Sequence, residues 1–109
     1  MPSATVVEDR IFKALADPSR RAIFESLTRG EVAVKDLTAR FDISQPAVSQ
    51  HLASLKGAGL VSRRREGRCV IYQVDPRGMK PLLNWIAHYR AFWTDRVDRL
   101  EKLLEKLDS

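Results

Sequence analysis

Between Val34 and Val74 the chain places two short apolar-periodic segments on either side of a brief interruption, then adds two β-type runs. Val34, Leu37 and Phe41 recur at helical spacing, Asp42 and Ile43 interrupt the pattern, and Val48, Leu52 and Leu55 resume it. Ser44 is placed to cap the second segment by accepting a bond from a free backbone N–H. Pro46 falls in the first turn, where its missing N–H does little harm, and Ile43 ahead of the cap can pack on Val48 as a hydrophobic staple. Leu60 to Arg65 reads as a strand, Glu66-Gly67 as a turn and Cys69 to Val74 as the return strand, with Asp75-Pro76 closing the hairpin. Two short helices joined tightly and followed by a hairpin are the parts of a winged helix-turn-helix.

The flanking segments fit that frame. Ile11, Phe12 and Leu15 mark one face of a first helix, and Asp17-Pro18 caps and opens a second whose stripe is Ile23, Phe24 and Leu27 and whose end is Gly30. Gly78 and Pro81 delay the last helix to about Lys80, after which it runs without Gly or Pro to Leu107. The expected fold is mainly α with a small β-hairpin, in the order α-α-α-α-β-β-α. At 109 residues the chain suits one domain, with 8–80 as a nucleic-acid-binding core and 81–109 as a dimerisation helix.

Charge separates the same two parts. Residues 1–80 hold fourteen Lys and Arg against nine Asp and Glu, whereas 81–109 hold five of each, so the formal excess of +5 lies wholly in the first part. A basic body suits a polyanion and the neutral tail has another task. In the fourth helix Val48, Leu52 and Leu55 point one way, while Pro46, Gln50, Ala53 and Gly57 point the other, leaving a small, polar, acid-free face. Ser49 and His51 lie at its two sides. Gln and Ser can donate to and accept from base edges in the major groove. At the hairpin tip Arg63, Arg64, Arg65 and Arg68 surround Gly67, and alternation along a strand keeps them from sharing one buried face or one partner. Guanidinium groups on a protruding tip suit phosphates or the minor groove.

In the last helix Leu82, Ile86, Tyr89, Trp93, Val97, Leu100, Leu104 and Leu107 step by four, three, four, four, three, four, three, a heptad-like seam with one extra step near Trp93. A small domain cannot cover such a helix along its length, but a second copy can. Ile86 and Tyr89 are expected partly inside the chain's own core, and Trp93 to Leu107 between subunits.

Four blocks carry a resemblance to a known family: Ala14 to Arg21 (ALADPSRR), Ser44 to Leu52 (SQPAVSQHL), Leu55 to Val61 (LKGAGLV) and Arg64 to Arg68 (RREGR). Together they resemble the ArsR/SmtB family of bacterial winged-helix repressors. The resemblance implies a homodimer on a palindromic double-stranded DNA operator near its own promoter, repression by blocking polymerase, and relief by an effector. It implies that Ser44, Gln45, Ser49 and Gln50 meet DNA, with the wing arginines on the backbone or minor groove. The DNA-binding set is therefore Ser44, Gln45, Pro46, Ser49, Gln50, His51, Lys56, Arg63, Arg64, Arg65 and Arg68. The dimerisation set is Tyr89, Trp93, Val97, Leu100, Leu104 and Leu107.

The metal-sensing members that this family contains use a cysteine cluster on the third helix or Asp, His and Glu ligands on the last. Here the third helix runs Val34 to Arg40 without thiol or histidine, and the last has one histidine, His88, with Asp95 and Asp98 well beyond it. A zinc site wants about four N, S or O ligands, so no metal and no cofactor are expected, and the last helix is closer to the family branch without metal ligands. No nucleophile is paired with a base and no Gly-rich phosphate loop occurs, so an enzyme is not expected. Cys69 is the lone cysteine, which fits a reducing cytoplasm and a small strand residue better than a redox switch. No run approaches a membrane span and Met1 to Asp9 is not a secretory signal. Two other readings keep the fold: an effector- or metal-responsive derepressor, and a winged-helix module for protein contacts.

Overall fold

The structure, a computed structural model, describes residues 4–108. The elements follow as α1 (Ala4–Ala16), α2 (Pro18–Thr28), β1 (Val32–Ala33), α3 (Val34–Phe41), α4 (Gln45–Gly57), β2 (Val61–Glu66), β3 (Cys69–Val74), a 3-10 turn (Pro76–Met79) and α5 (Lys80–Asp108). Several helix boundaries have a local cause. The Asp17 carboxylate accepts from the Arg20 N–H at 3.0 Å ahead of α2, and Pro18 takes the first helical position. The Ser44 hydroxyl accepts from the Ala47 N–H at 3.2 Å ahead of α4. At the far end of α4, Gly59 takes φ +81°, and the bonds Leu60 N–H to Leu55 O (3.0 Å) and Gly59 N–H to Lys56 O (2.9 Å) close the helix. Between α3 and α4 the tight turn rests on Asp42, left-handed at φ 50°, a conformation its short polar side chain tolerates.

The core gathers Ile11, Ile23, Phe24, Leu27, Leu37, Val48, Leu52, Leu55, Leu60 and Tyr72, all buried. It draws on α1 to α4 and the sheet, so the body rests on one face of each short helix. Two expectations change. The sheet has three strands in the order β1-β3-β2, all antiparallel, because Val32 pairs with Tyr72 and Ala33 with Ile71. Two residues are too few to show a period of two, so β1 leaves no sequence signal. The hairpin turn is Gly67-Arg68 rather than Glu66-Gly67: β2 continues through Glu66, which pairs with Cys69, and Gly67 supplies the positive φ (61°) at the first central position.

The base of the hairpin is clasped to the end of α4. Asp75 N–H donates to Leu60 O at 2.9 Å, and Gly78 lies so close to Gly59 that a Cβ on it would fall 1.4 Å from the Gly59 carbonyl oxygen. Only glycine fits at 78, a requirement of packing rather than of backbone angle.

The last helix departs from the expected division. Leu82 packs against the core, and the Trp85 ring meets the Phe12 ring edge-on at 5.3 Å. Ile86 (47% exposed) and Tyr89 (39%) are on the surface, not internal, since the body ends where Leu82 and Trp85 touch it. Phe12 also faces outward at 41% exposure rather than into the α1 core. Beyond Trp85 the helix projects, and the radius of gyration is 17.9 Å where a compact chain of this length would have about 13 Å.

Candidate nucleic-acid interface

The outward face of α4 is open. Ser44, Gln45, Pro46, Ser49, Gln50 and Lys56 are exposed, while Val48, Leu52 and Leu55 on the opposite side are fully buried. The buried stripe therefore fixes which side chains the helix presents. Ser44 spends its hydroxyl on the cap. His51 is half-buried at the edge away from the wing, where its Nδ1 has no hydrogen-bond partner and its ring is near the Asp17 carboxylate. The Asp17 carboxyl is held below the usual carboxylate range, chiefly by the Arg20 backbone N–H, with charge from His51 and Arg20 adding to it and partial desolvation opposing.

Beside α4 runs a groove of about 360 Å³, with Gln45, Ser49 and Ala53 on the helix wall and Arg63, Arg68 and Cys69 on the wing wall. Arg63 and Arg68 line it and Arg65 does not. Arg63 pairs with Tyr72 and Arg65 with Val70, so these share the face that Tyr72 turns to the body, whereas Arg64 pairs with Ile71 on the other face. Arg63, Arg65 and Arg68 are exposed.

Arg64 has a different setting. Its guanidinium makes a two-pronged ion pair with Glu31 (2.6 and 2.7 Å), donates to the Gln73 amide oxygen at 3.0 Å and reaches Glu66 at 3.5 Å. Gln73 in turn donates to Ser62 at 3.3 Å. These bonds tie the middle of β2 to β3 and to the segment before β1. Bonding to Arg64 lowers the Glu31 carboxyl below its ordinary range, and the same bond raises the Arg64 pKa. Lys35, absent from the sequence-derived set, is exposed and lines the groove because β1 pairing brings the start of α3 to the wing. The unseen strand hid it. Lys56 sits in the last turn of α4 and does not line that groove.

A family model described as a bacterial regulatory protein of the arsR family matches residues 17–63, which run from the α2 cap into the wing. The HTH-type transcriptional regulator Rv2034 of Mycobacterium tuberculosis is 42% identical over 97 residues, covering 89% of this chain and 88% of that protein. The chain belongs to the ArsR family of bacterial transcriptional regulators. The transcriptional repressor SdpR of Bacillus subtilis is 33% identical over 74% of this chain and 90% of its own length. A crystal structure of an ArsR family transcriptional regulator superposes with a TM-score of 0.73 at 29% identity, covering 86% of this chain and 97% of that one. With this membership the chain is a DNA-binding transcriptional repressor and not an enzyme.

Among the described residues searched, no group of three or more His, Cys, Asp or Glu side chains is placed to hold a metal ion. The α5 histidine instead sets its ring edge-on to Tyr89 at 4.8 Å. Among the described residues no helix is long and apolar enough to cross a membrane.

Proposed function

We propose that this repressor acts in the cytoplasm as a homodimer, paired along α5 and bound to a palindromic operator of its own or a neighbouring operon. The observation that carries the dimer is the apolar face of α5. Tyr89, Trp93, Val97, Leu100, Leu104 and Leu107 are 39 to 73% exposed, a continuous seam that the body does not cover. Phe92 and Leu103 (48% and 55% exposed) widen it. Large aromatic and aliphatic groups gathered on one surface are typical anchors of protein interfaces.

Pairing gives the reading of DNA its geometry. Two copies of α4 must sit about 34 Å apart to enter successive major grooves on one face of the duplex. Gln45, Ser49 and Gln50 then meet base edges, Ser44 and Pro46 bring the helix N-terminus to the backbone, and Arg63, Arg65, Arg68 and Lys56 meet phosphates. Arg64 holds the wing in place through Glu31. His51 supports the body-side edge of α4.

Selection of binding duplexes from a random pool tests this reading. Enrichment of an inverted repeat with half-sites about one helical turn apart is expected. Enrichment of a single half-site, or of none, would overturn the dimeric, palindromic mode.

A further inference from the structure

The wing lies on only one flank of α4. Gln45, Ser49 and Ala53 form the helix wall on that side. At 3.6 residues per turn, Ser54 lies about half a turn round the helix axis from Gln45. There, a second concavity of about 300 Å³ is lined by Ser54, Gly57 and Ala58 of α4 and by Arg10, Lys13 and Arg20 of α1 and α2. Its charged lining is entirely cationic. Arg10 and Lys13 are exposed, and the buried Nε of Arg20 has no hydrogen-bond partner within the chain. Asp17 lies near Arg20 and His51, but its carboxylate already caps α2. Small residues on the α4 wall leave room for a ligand to approach.

We propose that Arg10, Lys13 and Arg20 form a second phosphate-binding surface, engaging the duplex backbone on the side of the major groove opposite the wing. The reason is geometric. The major groove is about 12 Å wide and a helix with its side chains is about 10–12 Å across, so a helix lying in it has a phosphate row along each flank. The wing arginines serve one row. The α1/α2 cations are placed for the other and clamp α4 from both sides, which explains why much of the basic excess lies outside the hairpin. This inference rests on duplex binding by the exposed face of α4.

The test is a salt series of DNA affinity for the full chain, comparing the wild type with Arg10→Gln/Lys13→Gln. Lys102→Gln on α5 is the control for loss of charge alone. Both altered positions are exposed, and thermal unfolding checks that the variants fold. Two contacts from each subunit of the dimer make four, so the slope of log affinity against log salt should fall by about 4 in the double variant. Its loss of affinity between 50 and 200 mM salt then becomes about 10²-fold smaller than that of the wild type. Operator and scrambled duplexes should weaken alike, and the control should keep the wild-type slope. An unchanged slope in a variant whose wild-type parent binds DNA overturns this surface alone. Failure of the wild type to bind duplex DNA overturns the reading beneath it as well. In a parallel arm, inorganic phosphate is titrated against thermal stability. Phosphate stabilisation abolished by the double variant, with the DNA slope unchanged, would assign the cavity to a free anion and overturn the backbone contact.

Discussion

The body and α5 spend their apolar residues in opposite ways. In the body Ile11, Leu37, Leu52 and Leu55 are completely removed from water, and apart from Phe12 the exposed large side chains are polar or charged. On α5 Trp93, Leu100 and Leu104 remain half or more exposed, and the charges of residues 81–109 balance. The body is thus complete as a packed unit and incomplete electrostatically, which is the condition of a surface awaiting a polyanion. The helix is nearly balanced electrostatically and incomplete in its packing, which supports the proposed pairing with another copy. On that proposal one chain separates reading from pairing by placing different kinds of unsatisfied surface in different segments.

The sharpest way to break this contrast is to truncate large apolar side chains in each region. Leu52→Ala leaves a cavity in a fully buried site and should cost about 3 kcal/mol in urea unfolding. Trp93→Ala/Leu100→Ala should leave the body folded but give monomers in sedimentation velocity and loss of tight operator binding. A double variant that remains dimeric would mean that the seam lies elsewhere.

The wing offers a finer division. Arg63→Ala/Arg65→Ala/Arg68→Ala removes six contacts from the dimer, and should weaken binding to every sequence and reduce the salt slope by about 5. Arg64→Ala should lower affinity with little change of slope, since its guanidinium is engaged by Glu31. A slope loss for Arg64→Ala equal to that of each neighbour would make Arg64 a phosphate contact instead.

The smallest expected effect concerns acid. Asp17 and Glu31 have lowered folded-state pKa values, so their contribution to stability is present above the ordinary carboxylate range and is lost as pH falls through the lowered values. Unfolding free energy should therefore decline below about pH 4. Asp17→Asn keeps a capping oxygen without the charge, and should make that decline shallower. An identical acid profile would show that the Asp17 charge contributes nothing.

Much of this was legible in residue spacing because caps and stripes are local. Asp17-Pro18, Ser44 and the triplet Val48, Leu52 and Leu55 each act within a turn or two, and the structure places them as the pattern implies. What spacing could not show depends on residues distant in the chain. Phe12 has helical spacing with Ile11 and Leu15, yet its surroundings are set by Trp85, more than seventy positions later. Gly78 reads as a helix breaker, but its role is to let the chain pass against Gly59. Arg64 sits among four similar arginines, and only the pairing of β2 with β3 and the nearby Glu31 set it apart. Arg10 and Lys13 are singled out by no local pattern, and only packing brings them beside Ser54.

Fluorescence anisotropy on the upstream duplex and a scrambled duplex, across a salt series without added metal, addresses the repressor reading directly. Binding to the upstream duplex at least ~10³-fold tighter than to the scrambled one is expected, with a steep loss of affinity as salt rises. Equal, weak binding to both duplexes would contradict it.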